Sequence, residues 1–115
     1  MTIADNLKRA IALIQALPDE AVCLAMYKNL CGTHFCTAGH LANDPFFKEM
    51  GFEWGLRSRS TFVLFKGSVL HFSRELDSYF GEGSAALFSS KTFHEEGSDK
   101  QVALKRLETQ LQRNS

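Results

Sequence analysis

The chain has 115 residues, 44% of them hydrophobic and 23% charged, with 13 basic side chains set against 13 acidic ones. That is enough chain for one domain with its own core, in the composition of an ordinary globular protein. The balance excludes the surplus of Lys and Arg that drives non-specific nucleic-acid binding, and it holds in both halves: five basic and six acidic side chains in residues 1–57, eight and seven in residues 58–115.

Three cysteines, an odd number, argue against a secreted disulfide framework. The apolar run from Ala10 to Leu17 is preceded by Asp5, interrupted by Gln15 and followed by Pro18-Asp19-Glu20. It lacks the flanks of a secretory leader and is too short to span a bilayer. The expected setting is the cytoplasm, with reduced thiols and no membrane contact. Ten phenylalanines predict a core filled by large rings, with aromatic surface left over for a partner.

In chain order, the first element is a helix capped by Thr2, with Asp5 near its positive end. Ile3, Leu7, Ile11 and Ile14 form its apolar stripe, Ala10 and Leu17 extend it, and Pro18 ends it. A second helix is expected from Asp19 to about Lys28, with Val22, Ala25 and Met26 inward and Cys23 packed as a small hydrophobe. Asn29–Gly32 break the pattern. Thr33 reads as the cap of a third helix, 34–42, closed by Asn43-Asp44-Pro45, after which a short turn carries Phe46, Phe47 and Met50.

Residues 51–60 read as loop around Trp54. Residues 61–72 admit a hairpin with Lys66-Gly67 at the turn. The spacing of Val69, Phe72, Leu76, Tyr79 and Phe80 favours instead an extended 61–65 followed by a helix from Ser68, stopped at Gly81. A short helix through Leu87 and Phe88 follows Gly83-Ser84, then polar loop including His94-Glu95-Glu96. A last helix is capped by Ser98 with Gln101, and Leu104, Leu107 and Leu111 are its buried stripe. The expected architecture over residues 1–115 is a single all-α domain of five or six helices, several short, with a minor β element near residues 61–65.

The densest chemistry lies in Cys31-Gly-Thr-His34-Phe-Cys36-Thr-Ala38-Gly39-His40-Leu-Ala42, followed by Pro45 and Phe47. With the aromatic-rich stretch Phe72–Gly81 and Ala86-Leu87-Phe88, this resembles a family of small uncharacterised helical proteins of bacteria and their phages. The resemblance spans most of the chain from about residue 3 and implies helical architecture and phage-linked ancestry, but no reaction. The aliphatic-aromatic run Phe62–Phe65 departs from that pattern.

Three readings of the motif compete. Cys31, His34, Cys36 and His40 are all zinc ligand types, and Cys36 and His40 share one helix face four residues apart. His34, however, points away from that face. Alternatively Cys31 or Cys36, near a helix N-terminus, is a nucleophile with His40 or His34 as base and Asp44 as orienter. A Cys31–Cys36 disulfide is disfavoured in the cytoplasm. The structural reading accounts for every residue and is preferred. Gly32 permits the turn, Thr33 caps, the cysteines pack, Ala38, Gly39 and Ala42 allow a close helix contact, and His40 bonds within the core. No cofactor is expected on that reading, and zinc is the alternative.

The functional expectation is a non-enzymatic accessory protein that binds another protein or itself, with Trp54, Phe46, Phe47 and Phe52 as the docking rings. The rival is a metal- or thiol-dependent protein using Cys31, Cys36 and His40. A weaker rival, a nucleic-acid-associated regulator, requires Arg57, Arg59 and Lys66 to converge with Lys100, Lys105 and Arg106.

Overall fold

A computed structural model describes residues 2–22, 24, 37–57, 60–70, 73–89 and 94–114. Helix α1 spans Ile3–Gln15. Thr2 Oγ1 accepts from Asp5 N at 3.1 Å while Thr2 N donates to the Asp5 carboxylate at 3.2 Å, a reciprocal cap that satisfies two orphan amides. Leu7, Ala10 and Ile14 are fully buried. Ala16 closes the helix, one residue before Leu17, where the apolar stripe ends.

The expected second helix does not form over its described part. A 3-10 turn covers Asp19–Ala21, and Val22 is already extended. Val22 and Leu24 are both buried. The rest of that expectation, Ala25–Lys28 and Cys23 included, lies outside the described residues.

Helix α2 (Thr37–Asn43) is followed at once by α3 (Pro45–Met50). Asp44 sits between them, its carboxylate accepting from Phe46 N at 3.1 Å and Phe47 N at 3.4 Å, with Pro45 in the first turn where its missing N–H costs nothing. Gly51 ends α3 with φ +140°, where a Cβ would lie 2.7 Å from Lys66 Cγ. The chain thereby turns in one residue from helix into strand.

The stretch 51–60, expected as loop, holds strand β1 (Phe52–Arg57), paired antiparallel with β2 (Ser60–Phe65). Phe52 opposes Phe65 and Trp54 opposes Val63, so one face carries the rings while Glu53 and Leu64 take the other. The helix expected from Ser68 is replaced at its start by β3 (Ser68–Val69), which returns along β2 in the order β1-β2-β3. The hairpin turn is Lys66-Gly67, with φ +50° and +84°, the positive values that a two-residue type I′ loop requires. Lys66 offsets this strain: its Nζ donates to Tyr79 Oη at 2.6 Å and lies 3.4 Å from Glu75.

Helix α4 runs only over Leu76–Phe80 before Gly81, a 3-10 turn covers Ser84–Phe88, and α5 spans Asp99–Arg113. Ser98 caps α5 with Gln101 and also donates to Asp19 Oδ1 at 2.8 Å. The fold is thus mostly helical with a small antiparallel sheet, rather than all-α.

Rings fill the centre. Phe52 packs edge-on against Phe47, Phe65, Phe80 and Phe88, with centroids 4.9–6.0 Å away. Phe47, Phe65 and Phe80 are fully inaccessible. Phe47→Ala is therefore expected to lower unfolding free energy by about 3–5 kcal/mol. Phe46→Ala, one residue earlier and half-buried, should cost well under half of that. Urea titrations of the two variants check the contrast.

Candidate functional site

Every residue from Thr37 to Ala42 is buried, so α2 packs on all sides, against α1, α3, β1 and β2. Its one ionisable member, His40, places Nε2 2.7 Å from the Ala21 carbonyl. A carbonyl can only accept, so Nε2 carries the hydrogen and Nδ1 is the basic nitrogen. Burial pushes the His40 pKa below the ordinary value, and the Ala21 bond only partly counters it. The ring is neutral at neutral pH and fastens α2 to the turn after α1.

Cys31, His34 and Cys36, with Gly32 and Thr33, lie outside the described residues. Of the sequence-derived ligand set, the structure places His40. Among the described residues no three His, Cys, Asp or Glu side chains are grouped to hold a metal ion. Thr37, next in the chain to Cys36, has a fully buried hydroxyl without a hydrogen-bond partner among the described residues. Asp44 does not orient His40: its carboxylate caps α3, and His40 bonds to Ala21 instead.

The docking set divides. Phe47 and Phe52 are 0% and 1% exposed, so they are core rings and cannot meet a partner. The reason is register. Phe47 occupies the inward position of α3, and Phe52 sits opposite Phe65 on the core face of the sheet. Phe46 and Trp54 are half-buried. Phe46 lies edge-on to Phe47 at 5.0 Å with the Arg9 guanidinium 4.0 Å from its centroid, a cation–π contact. Trp54 Nε1 donates to Asn43 Oδ1 at 2.9 Å.

Beside Phe46 lies a groove of about 260 Å³, lined by Asn6, Phe46, Glu49, Met50 and Tyr79. Asn6 is 3% exposed. Its amide donates to the Tyr79 carbonyl at 3.0 Å, but its Oδ1 is buried with no donor among the described residues. This residue escaped the sequence reading although a signal existed: Asn6 falls on the α1 stripe, three after Ile3 and four before Ala10.

Of the basic residues required for a nucleic-acid surface, Lys66, Lys100 and Arg106 bond within the chain, while Lys105 has no partner among the described residues. Lys66 bonds Tyr79, Lys100 donates to the Gln15 and Leu17 carbonyls at 3.1 and 2.6 Å, and Arg106 pairs with Glu95. The side chain of Arg57 and all of Arg59 lie outside the described residues. Among the described residues no helix is long and apolar enough to cross a membrane. No family model matches the chain, and no match was found among curated proteins or solved structures.

The depressed His40 pKa has a sign that can be checked. Below about 6.5 the unfolded chain takes up a proton that the folded ring resists. Stability therefore rises with pH across the window between the folded value and about 6.5, and is lost as pH falls through it. His40→Gln, which keeps a donor for Ala21, should flatten that slope, as read from urea midpoints from about two pH units below the window's upper edge to about one unit above it.

Proposed function

We propose that this is a non-enzymatic accessory protein of bacterial or phage origin, acting in the cytoplasm by binding a protein partner or a second copy of itself. The observation that carries the reading is the groove between α1, α3 and α4, lined by half-buried Phe46, Met50 and Tyr79 together with Asn6, whose buried Oδ1 has no donor among the described residues. A buried acceptor without a donor costs about 1–3 kcal/mol. A partner segment that inserts an apolar side chain beside Met50 and offers an N–H to Asn6 recovers that cost, the Phe46 or Tyr79 ring swinging aside. Arg9 and Glu49 add one charge of each sign to the same surface.

A second reading, a zinc site formed by Cys31, Cys36 and His40 with His34 or water as fourth ligand, has a specific support. His40 is neutral and donates its Nε2 hydrogen to a backbone carbonyl, the orienting bond that metal-bound histidines usually make. The unsatisfied Thr37 hydroxyl beside Cys36 is a further group that a bound ion and its water would satisfy.

Two experiments separate these readings. Sedimentation across concentration, together with selection from a displayed peptide library, should reveal self-association or peptide binding. Met50→Lys should weaken it by about tenfold or more, the 1.4 kcal/mol of a modest hot spot, with a cooperative unfolding transition retained. A chain that stays monomeric and enriches no peptide sensitive to Met50→Lys would sink the groove reading. Native mass with and without chelator tests the other: a one-zinc increment lost in Cys36→Ser supports it, and a plain apo mass after zinc supplementation retires it.

A further inference from the structure

A cavity of about 560 Å³ runs along α5, opposite Gly83, Ala86, Leu87 and Ser89 on one side and His94, Glu95 and Glu96 on the other. Its size falls within the roughly 300–1,000 Å³ of small-molecule sites. Two rows of α5 side chains line it. Val102, Arg106 and Gln110, at intervals of four, form the inner row, and Lys105, Thr109 and Arg113 form the exposed outer row. Leu87, buried in the 3-10 turn, completes the apolar floor with Val102.

The polar groups are not equivalent. Arg106 is structural: its Nε and Nη2 donate to the two Glu95 carboxylate oxygens at 2.7 and 2.6 Å, and its Nη1 to the Ser89 carbonyl at 2.7 Å. This fork holds the far rim and neutralises Glu95. Gln110, 4% exposed, spends both amide hydrogens on the Phe80 and Glu82 carbonyls at 3.0 and 2.9 Å. What it retains for the cavity it lines is an acceptor oxygen. Lys105 and Arg113 have neither ion pair nor hydrogen bond among the described residues. They stand eight residues apart, about 12 Å along the helix, a span that two long side chains close over Thr109. Of the two acidic residues that line the cavity, Glu95 is thus neutralised and Glu96 is exposed.

We propose that the α5 cavity binds a small free amphipathic acid, a carboxylate or phosphate monoester. Its anionic head lies between Lys105 and Arg113, its apolar body covers Leu87 and Val102, and a polar hydrogen near the head reaches the Gln110 oxygen when the ligand has one. The charge complementarity fixes the head and the buried floor fixes the body. Neither Phe46 nor Met50 lines this cavity, so it stands or falls apart from the groove.

The test is an amide-resonance titration of the full chain with hexanoate, hexyl phosphate, acetate and hexanol. At least one of the six-carbon acids should shift amides along Val102–Arg113 and near Leu87, binding at least about tenfold more tightly than acetate, since each buried methylene adds roughly fourfold. Hexanol should bind more weakly than that acid. Lys105→Ala and Arg113→Ala should each weaken the acid by up to about fivefold and leave hexanol unchanged, while Thr109→Arg should tighten it by a similar factor. Because these three positions are exposed, the variants fold. Shifts confined elsewhere, no shifts with either six-carbon acid, hexanol binding as tightly as the acids, or indifference to all three substitutions would overturn the proposal.

Discussion

Phe52 is the ring on which the other elements converge. It meets Phe47 from α3, Phe65 from β2, Phe80 from α4 and Phe88 from the 3-10 turn, so four separate segments share one contact centre. All four pairs are edge-on, the arrangement that ring quadrupoles favour. The remaining constraints follow from getting Phe52 there. Phe47 and Phe52 lie five residues apart on a helix and a strand, and both must point inward, which demands the abrupt reversal at Gly51. Once β1 is set, its register with β2 fixes Val63 and Phe65 on the same face, and the tight Lys66-Gly67 loop returns the chain toward α4. Much of the phenylalanine surplus is thus absorbed by a small core that needs large rings to close it.

Around that centre the charges work within the chain rather than beyond it. Helix α1 has no basic residue in its own last turn, and Lys100 from α5 supplies one, donating to the Gln15 and Leu17 carbonyls where the helix dipole is negative. Asp99 accepts from Leu24 N at 3.0 Å, and Ser98 reaches Asp19. The first turn of α5 is therefore a clamp on the segment that follows α1. Such use of charge accounts for a balanced chain in which several basic side chains face inward partners.

Local signals were legible where the physics is local. Thr2 and Ser98 cap as their spacing implies, Gly81 stops α4, and Gly83-Ser84 opens a short 3-10 turn, because capping depends on residues three or four apart. Strand β1 was not legible. Phe52-Glu-Trp-Gly-Leu-Arg alternates too briefly, with Gly55 breaking the pattern, and its stability comes from pairing with residues up to thirteen positions away. The helical spacing of Val69, Phe72, Leu76, Tyr79 and Phe80 does not mark one helix: Val69 belongs to β3, Leu76, Tyr79 and Phe80 share α4, and Phe72 lies outside the described residues. Phe46 and Phe47 show the same limit at single-residue scale. Adjacent rings on a helix point about 100° apart, and which one faces inward is decided by the tertiary partner.

The candidate sites differ in legibility for a related reason. His40 was singled out by its neighbours in the motif, yet what determines its chemistry is Ala21, nineteen positions earlier. That bond sets the tautomer and, with burial, the charge. A helix buried on every side constrains composition by packing alone, so small residues such as Ala38, Gly39 and Ala42 carry no functional message by themselves. The informative residues are those that packing does not explain: an Asn6 oxygen and a Thr37 hydroxyl buried without partners among the described residues, and Lys105 and Arg113, without an ion pair among the described residues, beside a cavity with an apolar floor. Each is a local cost or an unused capacity, set among described residues whose other buried side-chain polar atoms have partners. Binding is the process that turns such costs into affinity.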